Sequence, residues 1–186
     1  MNGLRLSDAI RLRSLLLGVG NLDGVEIIRR FETQEDIYTV LYNRPPSLML
    51  EKGVVFRENI GQETVEKVIC QMTVTENHCN GHYPGYPILP LAQQAEFVGQ
   101  TGALLLSVAR QKEFANAIPF AVKNQEFRSG NSGPVFPGDI LISVAQILRY
   151  RMGFANVDAI ITIRDQLVAT MEEVGYMAVK MPFLND

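Results

Sequence analysis

At 186 residues the chain suits one domain, or one domain with a short extension. With 47% hydrophobic and 20% charged residues it can bury a core without disulfides or a structural metal, and Cys70 and Cys79 alone make no disulfide framework. A net charge of -3 excludes a general electrostatic pull toward nucleic acid or an anionic membrane, which leaves only local basic patches.

Ser7 and Asp8 can cap a short helix that runs to about Leu17, with Leu6, Ala9, Ile10 and Leu16 as its apolar stripe and Gly18 as its stop. The longest apolar run here is Leu15 to Leu17, with Asp8, Arg11 and Arg13 upstream, so the stretch does not read as a secretory signal. No segment approaches the ~20 apolar residues of a membrane span. A cytoplasmic protein without membrane contact is expected. Val25 to Val40 is mixed and yields no pattern. Between Thr64 and Thr75, Val68, Cys70, Met72 and Val74 alternate with Lys67, Gln71 and Thr73, the pattern of a half-buried strand.

A loop rich in proline and glycine follows, ENHCNGHYPGYPILP, and leads into Leu91–Arg110, a proline-free stretch with helical spacing and Pro90 at its start. Beyond it, 117–127, 139–151, 154–164 and 166–179 read as strands of an antiparallel meander. One long helix and a run of strands make an α+β arrangement.

On the predicted helix, Ala92, Ala95, Gly99, Gly102, Ala103 and Leu106 share adjoining positions, a small-residue face that a wrapped sheet could approach closely. Gly99 and Gly102 each cost about 1 kcal/mol of helix propensity, and close packing is the expected compensation. Glu96 lies within this face; buried there, a carboxyl is held protonated and can serve as a general acid, whereas at the edge of the stripe it is an ordinary solvated glutamate. His82, in the loop before the helix, is either a structural hydrogen-bonding group or a base that titrates near neutral pH.

Gly81-His82-Tyr83-Pro84-Gly85-Tyr86-Pro87-Ile88-Leu89-Pro90, followed by Gln94, Glu96 and Gln100, closely resembles the signature of the FabZ-type 3-hydroxyacyl-acyl-carrier-protein dehydratases, GHFPG-x-PI-[ML]-PG and then a helix containing a glutamate. The histidine-to-glutamate spacing is the same. Asn43-Arg44-Pro45-Pro46 with Leu48 to Leu50 resembles the family's HRPPFLL segment, and Gly133 to Asp139 its PVVPGD turn. The likeness spans about Leu41 to Val179. It divides the chain into a helical extension, 1–40, and a domain, 41–186.

The resemblance implies a hot-dog fold, an antiparallel sheet wrapped around the Leu91–Arg110 helix. It implies a homodimer whose two sites each take histidine and glutamate from different subunits, with further assembly into hexamers. It also implies dehydration of a (3R)-hydroxyacyl thioester, on acyl carrier protein or coenzyme A, to the trans-2-enoyl thioester, for fatty-acid or specialised polyketide synthesis, with no cofactor and no metal. His82 would take the C2 proton and Glu96 would protonate the departing hydroxyl. Gly85, Pro90, Leu91 and Gln100 would line the substrate site, the Leu91 N–H stabilising charge on the thioester oxygen. Leu91 replaces the family's glycine, and Arg128 to Gly133 is longer than the family's link, so an unusual substrate is expected. Arg149 and Arg151, beside a turn at Met152-Gly153, could meet an acidic carrier or simply be solvated. A metal set drawn from Cys70, His78, Cys79 and His82 lacks paired ligand spacing. A hot-dog thioesterase and a silent acyl- or partner-binding protein are the alternatives.

Overall fold

A computed structural model describes residues 3–19, 21–113, 117–123 and 126–180. In chain order the elements are α1 (Leu6–Leu16), β1 (Val25–Phe31), α2 (Gln34–Tyr38), β2 (Lys52–Ile60), β3 (Glu63–Thr73), α3 (Glu76–Cys79), α4 (Leu91–Ala109), β4 (Ala117–Lys123), β5 (Glu126–Ser129), β6 (Ile140–Arg151), β7 (Phe154–Ile163) and β8 (Gln166–Lys180). The strands form one antiparallel sheet in the order β1-β2-β3-β6-β7-β8-β4, and β5 pairs with another stretch of β8. β6, β7 and β8 are the expected meander. The single strand expected over 117–127 is instead two strands, both along β8 rather than feeding β6. Pairing with β8 continues past β5 through Gly130 N–H to Val168 O (2.7 Å) and Ser132 N–H to Leu167 O (3.1 Å). A Cβ at Gly130 would sit 2.0 Å from the Leu167 carbonyl oxygen, so this extra length is tied to the sheet by a glycine.

The sheet curls around α4, as the α+β reading and the resemblance implied. Helical spacing puts Phe97, Val98, Leu104, Leu105 and Leu106 fully out of solvent against Val55, Val68, Cys70 and Met72 of the inner sheet face. Each such side chain contributes about 1.5–3 kcal/mol by leaving water. The two helix glycines part company here. A Cβ on Gly102 would stand 2.1 Å from the Tyr176 hydroxyl, which lies 3.2 and 3.1 Å from the Val98 and Gly99 carbonyls. Gly99 has nothing within 4 Å of that position, so close packing explains Gly102 only.

The outer sheet face is not bare. Helix α1 lays Ala9, Leu12, Leu15 and Leu16 over Val54, Phe56, Ile69, Ile142, Val144 and Ile160. The expected stripe is therefore displaced: Ile10 is exposed, and Leu12 and Leu15 take its place. The helix starts at Arg5, whose N–H donates to the Asp8 carboxylate (2.8 Å), so Asp8 acts from the first turn rather than as the cap. Strand β3, read as half-buried, is covered on both faces; Lys67 and Ile69 are as buried as Val68 and Cys70. Lys67 is tolerated there because its ammonium meets the buried Glu58 carboxylate at 2.7 Å, and Arg11 of α1 contacts the same carboxylate. Within 1–40, read as a helical extension, α1 is followed by β1, which pairs with β2 at the sheet edge. Among the described residues no helix is long and apolar enough to cross a membrane.

Candidate active site

The loop before α4 is built from local turn chemistry. Pro84 and Gly85 occupy the centre of a turn closed by Tyr86 N–H to Tyr83 O (3.0 Å), with Gly85 at φ 77°, a conformation that glycine adopts without strain. A second loop braces it. Leu89 N–H donates to Val135 O (2.9 Å), and Tyr86 packs edge-on against Phe136 at 5.5 Å. That second loop is held by Asp139, which accepts from Phe136 N–H (2.9 Å) and from the Arg164 guanidinium (2.6 Å). His82 sits on this frame with its ring 4.3 Å from that of Tyr83 and its Nδ1 3.4 Å from the Ile88 carbonyl oxygen. A carbonyl only accepts, so this contact is a hydrogen bond in the tautomer that has its proton on Nδ1, and in that tautomer Nε2 carries the lone pair.

Glu96 projects from the second turn of α4 and is exposed in the single chain. Its Oε1 accepts from Gln100 Nε2 at 2.7 Å. Gln100 is buried and fully committed: its other amide hydrogen goes to Ser47 O (2.6 Å) and its oxygen accepts Met49 N–H (2.8 Å). It therefore anchors Glu96 to the 47–49 segment, part of the NRPPSLML stretch. Glu96 lines two cavities. One, of about 530 Å3, has Gly99, Ala103, Pro119 and Ala121 in its walls. The other, of about 810 Å3, has Gln34, Ser47, Asn77, His78 and Gln93. Asn43 belongs to both. The negative charge of Glu96 also reaches Tyr176, whose phenol is raised well above its ordinary value, first by burial and then by that charge.

Among the residues expected from sequence, the structure brings Glu96 and Gln100 together. His82, like Glu96, is exposed in one chain, and it lines neither of the cavities that Glu96 borders. Gly85 shapes the His82 turn. Pro90 caps α4, its carbonyl accepting Gln93 and Gln94 N–H (3.0 and 3.1 Å). Leu91 leaves 51% of its surface exposed at the helix start, where backbone N–H groups have no carbonyl one turn back. Arg149 and Arg151 are exposed at the far end of β6, whose near end, Ile140, pairs with Thr73 beside the His82 loop. Nine residues of strand separate Ile140 from Arg149, roughly 30 Å. In one chain these arginines are not beside Glu96.

Sequence reasoning missed His78, Gln93 and Ser47 as neighbours of Glu96; His78 entered only as a metal candidate. The Thr75-x-x-His78 spacing was the available signal, since Thr75 N–H donates to His78 Nδ1 (3.0 Å) at the start of α3. Cys70 is a core residue whose thiol burial pushes up to about 12, with a hydrogen bond from Thr101 working the other way. Such a thiol is inert at neutral pH.

No family model matches the chain. It is 30% identical over 146 residues to the 3-hydroxyacyl-[acyl-carrier-protein] dehydratase FabZ of Geotalea uraniireducens (strain Rf4), covering 74% of this chain and 95% of the relative. It is 27% identical over 168 residues to FabZ of Caulobacter sp. (strain K31), covering 89% and 91%. Among solved structures, yhdA of Lactococcus lactis, provisionally assigned as a thioesterase, superposes with a TM-score of 0.56 at 14% identity, over 74% of this chain and 98% of that one. The dehydratase heterocomplex ApeI:P from Xenorhabdus doucetiae superposes with a TM-score of 0.50 at 18% identity, over 81% and 97%. The structural likenesses establish the hot-dog fold, and the sequence relatives go further: the chain belongs to the FabZ family of 3-hydroxyacyl-[acyl-carrier-protein] dehydratases.

Proposed function

We propose that the protein dehydrates (3R)-3-hydroxyacyl thioesters to trans-2-enoyl thioesters, with His82 as base and Glu96 as acid. The complementary preparation of the two groups carries this reading. His82 leaves Nε2 free beyond its Nδ1 contact with Ile88 O, while Glu96, bonded through Oε1 to Gln100, keeps its other oxygen for a proton. His82 Nε2 takes the C2 proton, the electron pair becomes the C2=C3 bond, and the C3–O bond breaks as Glu96 protonates the hydroxyl. Water and the enoyl thioester leave, and His82 returns its proton to Glu96 through solvent. N–H groups at the start of α4 stabilise the charge on the thioester oxygen.

The site belongs to a homodimer in this proposal. Both groups are exposed in one chain, so a second copy is required to seal Glu96 from water and bring the partner's histidine to it. Strand β4 is the last in the sheet order, and among the described residues no strand pairs with its outer edge, which suits it for pairing sheet to sheet. Assembly into hexamers, a cytoplasmic location and docking of an acidic carrier at Arg149 and Arg151 complete the proposal.

The test supplies 3-hydroxyacyl and enoyl thioesters and follows enoyl absorbance and free thiol. Reversible dehydration is expected. His82→Ala and Glu96→Gln should each lower kcat by about 10²- to 10⁴-fold, and full activity in either removes that residue from the mechanism. Release of thiol instead would mark a thioesterase, and acyl binding without turnover a silent partner subunit.

A further inference from the structure

We infer that His78 is a positioning residue that holds the amide-bearing pantetheine arm of the thioester substrate in the larger cavity beside Glu96. The inference rests on the assignment of Glu96 as the acid of that site.

Glu96 borders two spaces whose linings differ, with Asn43 and Ser47 shared between them. Besides polar groups that include Tyr42, Arg44 and Gln100, the 530 Å3 cavity has Gly99, Ala103, Pro119 and Ala121 in its walls, which offer an acyl chain contact without side-chain hydrogen bonds. The 810 Å3 cavity is walled by neutral polar side chains, among them Ser47, Thr75, Asn77, His78 and Gln93. Among the described residues no lysine or arginine lines it, so it is unsuited to a phosphate, and Glu96 is the one carboxylate among them. A neutral chain with amide groups fits such a wall, because each amide leaving water needs a partner. Every thioester on a carrier protein or on coenzyme A brings that arm. The thioester carbon must lie near Glu96, so the acyl chain and the arm leave it on opposite sides, one into each space.

His78 is prepared for this contact by its other nitrogen. Nδ1 accepts the Thr75 N–H at 3.0 Å, which fixes the neutral ring with its proton on Nε2. Burial favours the uncharged ring, and the Glu51 carboxylate opposes it. His78, which lines the cavity, therefore carries its ring N–H on Nε2, the nitrogen that Thr75 does not occupy.

Two substitutions separate the nitrogens. His78→Asn keeps an acceptor where Nδ1 stands and deletes the Nε2–H. His78→Gln carries an amide N–H toward the Nε2 position and gives up the Thr75 contact. The probe is S-butyl pantetheine, a thioether that cannot react, titrated by calorimetry into the full-length protein. His78→Asn should weaken binding about three- to tenfold, the worth of one hydrogen bond, and His78→Gln should recover most of the loss. S-butyl mercaptoethanol, which lacks amides, should bind both variants like the parent. With 3-hydroxybutanoyl pantetheine the loss should fall on KM rather than kcat.

A purely structural histidine predicts the reverse ranking, since His78→Asn preserves the Thr75 contact and His78→Gln breaks it. That ranking, or parental affinity of His78→Asn for S-butyl pantetheine, overturns the inference. If the parent binds the thioether through His78 but dehydrates nothing, the dehydratase reading fails alone. If it dehydrates and binding ignores His78, the present inference fails alone.

Discussion

The two faces of the sheet are buried by different means. The inner face meets α4 through a continuous apolar core, into which Thr101 and the Tyr176 hydroxyl bring buried polar groups that find partners. The outer face meets α1 through a smaller apolar patch beside charged side chains, Arg11, Glu58 and Lys67, that satisfy one another. One face carries the candidate site, and the other carries none of it. Stability and activity should therefore separate along this division.

Lys67→Ala should show the largest loss of stability, because it strips a buried carboxylate of its closest partner. We expect about 2–4 kcal/mol in denaturant unfolding, below the full cost of breaking a buried pair because Arg11 still contacts Glu58. Turnover per folded molecule should be retained. A matching loss of kcat would show that the outer face is coupled to the site.

The glycine pair sharpens the inner side of the contrast. Gly102→Ala forces a methyl group into the Tyr176 hydroxyl and should cost about 1–3 kcal/mol. Gly99→Ala meets nothing within 4 Å in one chain and should gain up to about 1 kcal/mol in helix propensity. Destabilisation by Gly99→Ala, read by thermal melting, would mean that a partner packs against that position.

The smallest effects are those of pH on the outer face. Burial alone would raise the Glu58 carboxyl, but its hydrogen bond to Lys67 and the charge of Lys67, followed by Arg11, lower it below its ordinary 4.5. The stability it supplies is complete above pH 4.5 and lost as pH falls through the lower folded value. Asp158 moves oppositely. Burial raises it above 3.8, against the Glu173 N–H bond and with the charges of Glu172 and Glu173 adding to the rise. It therefore opposes folding increasingly as pH climbs from 3.8 through the raised value. Urea titrations across this range should show Glu58→Gln removing the acid-side loss. Asp158→Asn, which keeps an acceptor for Glu173 N–H, should stabilise at neutral pH only. Parallel pH curves for parent and variants would refute these assignments.

This same division explains what was legible in the sequence. Helix α4 could be read because Pro90 marks its start and no proline interrupts the spacing to Ala109. The inner side of β3 could be read because Val68, Cys70 and Met72 alternate; the same alternation puts Lys67 on the other face, which Glu58 and α1 bury. Strand β2 escaped because burial on both faces, from Gly53 to Phe56, erases alternation. Strand β1 has an irregular pattern with a register shift between Ile27 and Arg29, so neither helical nor strand periodicity survives. Of the candidate site, His82 was visible through the contiguous 81–90 signature, and Glu96 and Gln100 through their spacing from it. His78 was not, because the cavity it shares with Gln93 and Glu96 is assembled from stretches that lie apart in sequence, 43–48, 75–78 and 93–96.

The hydrogen bond from Leu89 to Val135 makes the two loops flanking the site one mechanical unit. Asp139 and Arg164 extend that unit to the β7–β8 turn, so a change in the 130–139 stretch is felt at His82 without touching it. Grafting either loop from a relative would have to transplant both segments together. Exchanging one alone would break the Leu89–Val135 hydrogen bond and shift His82, the proposed base.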